Sequence, residues 1–251
     1  MKMAKKKCPQ VHHKIWAVIP AAGSGSRFSK TELKQYQMIQ GQTILEHTVS
    51  RLNQLPILGY VLAISEDDSV AKTLDFAQLD KAHFCVGGTE RVHSVLNALT
   101  YLSQMASADD LVFVHDAARP CVTQDCLDRL VHTAIQENCS AILAIPVRDT
   151  LKFVAQHDNI DTTVSREHLW QAQTPQISKL GILKYAIEKA LQDGITITDE
   201  ASALEHIGET VKVVQGRSDN IKITYADDLE LAKLILASQK KKKKWRQMYY
   251  L

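Results

Sequence analysis

A short apolar run leads into a glycine-rich segment at residues 15–28: Ile15-Trp16-Ala17-Val18-Ile19-Pro20, then Ala21-Ala22-Gly23-Ser24-Gly25-Ser26-Arg27-Phe28. A run of this length and β-branched content is typical of a buried strand. Glycines and small residues behind a strand let backbone N–H groups approach a polyphosphate, and the nearby cations Arg27 and Lys34 can neutralise it. This stretch therefore predicts a strand followed by a phosphate-binding loop.

Two better-known glycine loops do not fit this segment. A Walker loop needs Lys and Ser or Thr directly after a glycine, and Phe28 and Ser29 do not provide them. The dinucleotide fingerprint needs Gly or Ala at Phe28 and an acid about 20 residues later. The acid that closes the second apolar run is Glu66, about twice as far away. What remains is a loop suited to a triphosphate held by side-chain cations.

Short apolar runs alternate with amphipathic stretches along the rest of the chain. This alternation is typical of a parallel sheet covered by helices, so we predict an α/β fold. The predicted strands are Ile15–Pro20, Tyr60–Ser65, His83–Val86, Leu111–His115, Ala141–Pro146 and Val211–Val214. The predicted helices are Ile44–Gln54, Val70–Phe76, Arg91–Gln104, Gln124–Glu137, Lys179–Gln192, Asp199–His206 and Ala226–Ser238.

Four prolines indicate where a site should lie. Pro20, Pro120, Pro146 and Pro175 stand at or just beyond strand-like runs, beside unusual polar and glycine residues. Proline ends a ladder because it has no N–H, and ligands of open α/β sheets bind outside the carboxyl ends of the strands. The sequence therefore predicts a site at that edge of the sheet.

The polar segment Val147 to Leu169 breaks the alternation. Two strand-like pieces, Leu151–Ala155 and Asp161–Ser165, flank His157-Asp158-Asn159, which predicts a protruding β-hairpin. An isolated ribbon is marginally stable, so we expect this arm to pack against something, and a partner subunit of a homodimer is the candidate.

Composition favours a soluble, cytoplasmic globular protein. The 251 residues suffice for one domain, and 45% hydrophobic with 23% charged residues is ordinary for a globular protein. No apolar run approaches the roughly 20 residues of a membrane helix, and the basic start has no apolar run behind it, so we expect no membrane and no signal peptide. Five cysteines show no metal-ligand spacing, which favours reduced thiols: Cys8, Cys85, Cys121, Cys126 and Cys139.

The charge is unevenly distributed. Eleven of the 30 basic residues lie in the tails 1–14 and 240–251, which contain no acids, so residues 15–239 carry a net charge of −9. Lys240 to Lys244 with Trp245-Arg246 fits either a nucleic-acid or membrane patch or a solvated terminus. A negative body is a poor surface for a phosphate backbone, so we predict two basic tails around a single domain, 15–239, and no nucleic-acid partner.

Five more motifs follow the glycine loop. They are Val114-His115-Asp116-Ala117-Ala118-Arg119-Pro120, Pro146-Val147-Arg148-Asp149-Thr150, Gln173-Thr174-Pro175-Gln176, Thr198-Asp199-Glu200-Ala201 and Asp219-Asn220-Ile221-Lys222. The loop itself resembles that of nucleotidyltransferases with a Rossmann-like sheet. In order, the six motifs resemble the 2-C-methyl-D-erythritol 4-phosphate cytidylyltransferases over residues 15 to about 236. The resemblance implies cytidylyl transfer from CTP to 2-C-methyl-D-erythritol 4-phosphate.

The resemblance also implies the roles of individual residues. Arg27 and Lys34 would bind the triphosphate, Lys222 would act near the reacting phosphorus, and Asp116 would lie beside a divalent metal and the phosphates. The remaining nucleotide-binding residues would be Ala21, Ala22, Gly23, Gly25, Gly87, Gly88, Thr89 and Ser94. The sugar phosphate would be surrounded by Asp116, Arg119, Thr150, Arg166, Thr174, Thr198 and Lys222.

Two positions depart from the family pattern. Ser26 replaces an Arg common in the loop, which removes a phosphate cation. Thr89 replaces an Asp often found after the glycine pair, so the detail of base recognition stays open. Thr89 either contacts ligand or caps the following helix.

The implied chemistry suits these residue types. A phosphate monoester has a second pKa near 6, so at neutral pH it is mostly a dianionic nucleophile and needs no general base. The barrier lies in bringing an anion to an anionic phosphorus, which calls for positioning, cations and a metal. Mg²⁺ suits a lone carboxylate such as Asp116 together with phosphate oxygens.

Two other functions are compatible with some of these residues. His115-Asp116 is compatible with a metal-dependent phosphohydrolase, but no further ligands stand at suitable spacing. A ribitol 5-phosphate cytidylyltransferase would share the nucleotide loop. Outside the site, Asp67-Asp68 and Asp109-Asp110 are expected to cap and turn the chain, and Arg148 to pair with Asp149.

Overall fold

The apolar run at residues 15–20 forms one strand of a seven-stranded sheet, as predicted. Alternate side chains enter two different cores: Ile15, Ala17 and Ile19 pack on one face of the sheet, and Trp16 and Val18 on the other. Full burial of Val18 and of Ile19 stabilises the fold by roughly 2 kcal/mol each. The strand is apolar throughout because both of its faces are covered.

The computed structural model describes residues 13–25, 27–29, 32–156 and 158–249, with the backbone alone for 243–249. Residues 1–12, Ser26, residues 30–31, His157 and residues 250–251 lie outside the described residues. The strands are β1 (Ile15–Pro20), β2 (Met38–Ile39), β3 (Gln42–Thr43), β4 (Gly59–Ile64), β5 (Ala82–Val86), β6 (Leu111–Val114), β7 (Ser140–Pro146), β8 (Leu151–Phe153), β9 (Thr162–Val164), β10 (Trp170–Lys179) and β11 (Val211–Gln215). The helices are α1 (Ile44–Leu52), α2 (Arg91–Leu102), α3 (Gln124–Gln136), α4 (Leu180–Gln192), α5 (Glu200–His206) and α6 (Ala226–Tyr249).

The large sheet is mostly parallel. Its strand order is β11-β7-β10-β6-β1-β4-β5. Strand β1 pairs in parallel with β4 and β6, β4 with β5, and β11 with β7, whereas β10 runs antiparallel to β6 and β7. The predicted α/β class is confirmed, and each of the six predicted strands agrees with the structure to within one residue at either end.

Strand β10 was not predicted, because its sequence is polar and contains Pro175. The proline stands inside the strand, at a bulge where the register shifts between Gln173 and Gln176 and the preceding peptide bond is cis. A bulge tolerates proline in an inner strand because no ladder N–H is required there. Gln173, Thr174, Gln176 and Ser178 are buried and hydrogen-bonded, so the second half of the strand is buried without being apolar.

Helices cover both faces of the sheet. Apolar side chains of α1 and α3 pack on one face, and those of α2, α4 and α5 pack on the other. Helix α6 belongs to a third cluster, in which Ala232 and Leu236 pack against Ile39, Ile44 and Ile223. The helix continues to Tyr249, beyond the predicted end at Ser238.

The helix predicted over Val70–Phe76 is wrong. Ala71–Thr73 form a single 3-10 turn, and Asp68 caps it by accepting two backbone N–H groups, as expected for this acidic pair. The N–H of Asp75 then donates to the side chain of Glu46, which takes the backbone out of a helical ladder.

Within the segment predicted as a hairpin, β8 and β9 pair antiparallel, from Leu151 opposite Val164 to Phe153 opposite Thr162. Exposed apolar side chains on this hairpin and beside it are Phe153, Val154, Ile160, Val164, Leu169 and Trp170.

Among the helices of the described residues, none combines the length and apolarity that crossing a membrane requires.

Candidate functional site

A cavity of about 370 Å³ opens at the carboxyl ends of β1 and β6. Backbone hydrogen bonds set its rim, because Ala21 N–H donates to Ala63 O and Gly87 N–H donates to Ile64 O. The residues lining it are Pro20, Ala21, Gly23, Ser24, Gly25, Arg27, Lys34, Gln35, Gly88, Thr89, Glu90, Arg91, Ser94, Asp116, Ala117, Ala118 and Lys222. The cavity thus collects the three cations singled out in the sequence, Arg27, Lys34 and Lys222.

The glycine pair before α2 makes a turn too crowded for side chains. A Cβ on Gly87 would lie 2.4 Å from the Cβ of Ala22, and a Cβ on Gly88 would lie 2.3 Å from the Cβ of His93. Ser94 Oγ accepts from the Gly88 N–H at 3.0 Å and ties the turn to the first turn of α2. The pair therefore brings bare backbone to one side of the cavity.

Thr89 lines the same cavity and does not cap α2. The N-cap residue of the helix is Glu90, and its side chain makes no capping hydrogen bond. The Oγ1 of Thr89 lies 3.3 Å from Nδ1 of His93. The capping interpretation of Thr89 is therefore wrong.

Lys34 is held at the cavity by its neighbours in the chain and in space. It begins a 3-10 turn, and the next residue, Gln35, is buried and donates to Ala21 O at 3.0 Å. Its Nζ donates to Ile223 O at 3.0 Å, in the loop that carries Lys222. Burial, and after it the charge of Lys222, lowers the pKa of the Lys34 ammonium below its ordinary value.

Asp116 is a buried carboxylate shared by three cations. Its Oδ1 accepts from Arg91 Nε at 3.0 Å, and its Oδ2 lies 3.0 Å from Lys222 Nζ and 3.3 Å from Arg119 Nε. Burial acts to raise the pKa of Asp116, but the charges of Arg91, Lys222 and Arg119 outweigh it and hold that pKa well below its usual range. Asp116 is therefore ionised at neutral pH.

Arg91 and Glu200 join this cluster, although neither was predicted as a site residue. Two terminal nitrogens of Arg91 donate to the two carboxylate oxygens of Glu200 at 2.7 and 3.0 Å. Glu200 stands in one of the resembling motifs, but nothing in the sequence shows that it is buried or that it faces a residue 109 positions away.

A chain of hydrogen bonds fixes His115 behind the carboxylate. Thr174 Oγ1 accepts from Asp116 N–H at 3.0 Å and lies 2.9 Å from His115 Nδ1, while His115 Nε2 lies 3.1 Å from Arg119 O. A carbonyl only accepts, so Nε2 carries the proton and Nδ1 accepts from the Thr174 hydroxyl. Burial lowers the pKa of His115 to about 4, so the ring is neutral at pH 7. His115 is thus a structural group.

A second cavity adjoins the first. Arg91, Asp116 and Lys222 line both, and the second is completed by Arg119, Ala172, Gln173, Thr174, Gln176, Thr198 and Asp199. Five of the seven residues predicted to surround a sugar phosphate meet here: Asp116, Arg119, Thr174, Thr198 and Lys222.

Thr150 and Arg166 are not part of either cavity in one chain. Both are exposed, and Arg166 donates through Nη1 to the backbone carbonyl of Arg148. Among the described residues no ion pair joins Arg148 to Asp149, so that expected pair is not formed.

A mostly parallel α/β sheet with a cation-lined cavity at the carboxyl ends of its strands defines a nucleotide-binding protein of the Rossmann-like class. The model of the family 2-C-methyl-D-erythritol 4-phosphate cytidylyltransferase matches residues 15–238. The chain therefore belongs to this family, as the sequence motifs indicated.

Individual relatives agree with the family match. The chain is 72% identical to the 2-C-methyl-D-erythritol 4-phosphate cytidylyltransferase of an Acinetobacter baumannii strain over 234 residues, which cover 91% of this chain and 98% of the relative. It is 48% identical to the protein of that name from a Vibrio vulnificus strain over 228 residues, or 90% and 96% of the two chains. The solved Francisella tularensis enzyme of that name superposes with a TM-score of 0.77 at 37% identity and covers 88% of this chain and 99% of its own.

Proposed function

We propose that this protein transfers the cytidylyl group of CTP to 2-C-methyl-D-erythritol 4-phosphate, giving 4-diphosphocytidyl-2-C-methyl-D-erythritol and pyrophosphate. The observation that carries the proposal is a cavity lined by the cations Arg27, Lys34 and Lys222, which meets a second cavity at Lys222 and the ionised Asp116. One cavity suits a triphosphate with its base, and the other suits a smaller polar phosphate ester.

In the reaction, an oxygen of the acceptor phosphate forms a bond to the α-phosphorus of CTP. The bond from that phosphorus to the bridging oxygen of the β-phosphate breaks, and pyrophosphate leaves with the electron pair. The acceptor is mostly a dianion at pH 7, so no proton has to be removed. This agrees with a neutral His115 whose two ring nitrogens are already engaged.

On the donor side, the small residues after β1 and the glycine turn before α2 take the nucleotide between them. Ala21, Ala22, Gly23 and Gly25 offer backbone to the phosphates, and Gly87, Gly88, Thr89 and Ser94 contact the base and ribose. Arg27 and Lys34 neutralise the triphosphate, which stabilises charge that grows on the leaving pyrophosphate.

On the acceptor side, Arg119 and Lys222 supply positive charge, and Thr174 and Thr198 supply hydroxyls. Lys222 lines both cavities. It is therefore suited to hold the acceptor phosphate beside the phosphorus under attack, where its charge offsets the repulsion between two anions.

A divalent cation such as Mg²⁺ fits at Asp116. Mg²⁺ commonly binds one or two carboxylates together with substrate phosphates. In the described residues no three His, Cys, Asp or Glu side chains are grouped to hold a metal, so most ligands would come from CTP and water. Asp116 is ionised and faces the cavity, and Lys222, whose side chain is 36% exposed, lies 3.0 Å from it. When bound, the metal would neutralise phosphate charge.

The active unit in this proposal is a cytoplasmic homodimer. Thr150 and Arg166 stand on or beside the hairpin segment 147–169, away from the cavities of their own chain. The exposed apolar side chains there, such as Phe153 and Ile160, favour docking against a second copy. Docking would bring Thr150 and Arg166 to the partner's acceptor cavity.

The test is a steady-state assay of the purified protein with CTP and divalent metal. We expect pyrophosphate release with 2-C-methyl-D-erythritol 4-phosphate, a product with the mass of the diphosphocytidyl ester, and much slower release with ribitol 5-phosphate. Faster turnover of ribitol 5-phosphate would contradict the acceptor, and release from neither would contradict the proposed reaction.

A further inference from the structure

Arg91 and Glu200 form an ion pair that the reaction described above does not use. Arg91 is the first residue of α2, and Glu200 is the first residue of α5. Glu200 is 3% exposed, and both of its oxygens accept from the Arg91 guanidinium. A buried carboxylate without a partner is costly, so each side chain depends on the other for its position.

The third hydrogen bond of the Arg91 guanidinium connects the ion pair to Asp116 in the site. Its Nε donates to Oδ1 of Asp116 at 3.0 Å while the two terminal nitrogens remain on Glu200. A planar fork fixes the direction of all three bonds at once, whereas the point charge of a lysine could not. Glu200 thereby fixes the Arg91 guanidinium. The guanidinium in turn holds Oδ1 of Asp116, so that Oδ2 faces Lys222 and Arg119.

The pair also connects the two halves of the site. Helix α2 follows the glycine turn on the donor side, and α5 follows Thr198 on the acceptor side. Arg91 and Asp116 line both cavities. A rigid link between these helices would hold the donor and acceptor substrates at a fixed separation. Such positioning can supply a large part of the lowering of the activation barrier in a transfer between two bound substrates.

We propose that Arg91 and Glu200 are positioning residues for cytidylyl transfer: Glu200 orients the guanidinium, and the guanidinium orients Asp116 between the two cavities. The inference rests on the proposed function. Because Glu200 neutralises Arg91 and occupies its terminal nitrogens, Arg91 acts through Asp116 and is not a further phosphate ligand.

Glu200→Gln and Arg91→Lys test this role, since each keeps a polar side chain of similar size. We expect kcat to fall about 10- to 100-fold, as is usual when a group that orients a metal-binding residue is changed. The KM for CTP should change little, because the triphosphate cations are untouched. Glu200→Asp, which keeps the carboxylate, should recover part of the lost rate.

A double-mutant cycle with Asp116→Asn separates positioning from general support of the fold. If Glu200 acts through Asp116, adding Glu200→Gln to Asp116→Asn should cost almost nothing further in single-turnover rate. Glu46→Gln is the matched control: Glu46 is also a buried glutamate in the first turn of a helix, but it accepts from Thr43 and Asp75, away from the cavities. It should lower the thermal midpoint and leave kcat unchanged.

Three outcomes would overturn the inference. They are an unchanged kcat in folded Glu200→Gln and Arg91→Lys, the same loss repeated in the Asp116→Asn background, or a raised KM for CTP at constant kcat. If circular dichroism shows that Glu200→Gln is unfolded, the inference is tested with Arg91→Lys, which keeps the charge. A wild-type protein without transfer activity would refute the proposed function and this inference with it, whereas an active wild type with indifferent variants refutes the inference alone.

Discussion

At the scale of the residue, the site depends on how charge is balanced around Asp116. One buried carboxylate faces Arg91, Arg119 and Lys222, so the cluster carries an excess of positive charge before any substrate binds. Lys34 lies close by, and its pKa is lowered by burial and by Lys222. Because these cations repel one another, binding of a polyanion stabilises the cluster. This suits a protein that binds a triphosphate.

The first prediction concerns two of these cations. We expect Lys34→Ala and Lys222→Ala each to lose activity in the chemical step by about 10³-fold or more, as for other cations that stabilise transferring phosphoryl groups. Single-turnover rates at saturating CTP measure that step. Lys212→Ala is the control, because Lys212 pairs with Glu137 on the surface, outside both cavities, and should keep the wild-type rate. Rates within tenfold of wild type in both site variants would contradict the assignment.

The second prediction is a pH dependence set by Lys34. The ammonium loses its charge as pH rises, and its pKa lies below that of an ordinary lysine, so activity should fall on the alkaline side earlier than for an exposed lysine. The charged groups that act on it are Lys222, Asp116, Arg27 and Asp228.

Lys34→Arg provides the measurement for this prediction. Arginine stays protonated throughout the accessible range, so the alkaline limb of kcat/KM should move to higher pH even if the maximum rate is lower. An alkaline limb at the same pH in wild type and Lys34→Arg would show that another group causes it.

At the scale of the element, the turn between β5 and α2 shapes the donor cavity. Gly87 and Gly88 lie so close to Ala22 and His93 that a Cβ at either position would clash, and Ser94 holds Gly88 to the helix. A rigid backbone turn offers donors and acceptors in fixed directions, which favours one base over others.

The third prediction follows from that turn. Gly88→Val should weaken CTP binding, since a side chain there must displace either His93 or the base. Gly181→Ala is a matched control: its added Cβ would meet the Cβ of Ala108 at 2.8 Å, at the other end of the sheet, so it should cost stability without affecting CTP affinity. Calorimetry supplies the affinities, and the wild-type protein should bind CTP more tightly than ATP. Equal affinities for CTP and ATP would refute base selection by this turn.

Elements with a regular apolar pattern were predictable from the sequence, and the remainder depended on distant contacts. Strand β1 and helices α2 and α3 follow local periodicity, and the cations follow from motifs. Strand β10 was not predicted because its buried residues are polar. They form hydrogen bonds with groups elsewhere in the chain, such as Gln173 with Arg217 O. Arg91 and Glu200 were not predicted as site residues because their contact joins residues 109 positions apart.

At the scale of the whole molecule, the hairpin segment and the cavities have to be considered together. One chain brings Arg119, Thr174 and Thr198 to the acceptor cavity but leaves Thr150 and Arg166 exposed. Phe153 on β8 is 55% exposed and Ile160, in the loop between β8 and β9, is 61% exposed, so large apolar side chains of this segment face solvent. A two-fold dimer would cover these side chains and complete two sites at once.

The last prediction tests that arrangement. In the shared-site dimer, Lys34 of one chain and Arg166 of its partner serve the same site, and the guanidinium of Arg166 suits a phosphate. When inactive Lys34→Ala and inactive Arg166→Ala proteins exchange subunits, each mixed dimer has one site with both lesions and one with neither. Random exchange makes half of the dimers mixed, so about a quarter of the wild-type activity should return. Native mass spectrometry confirms the exchange. If mixed dimers form and activity stays at the level of the parents, Arg166 acts within its own chain or outside the site.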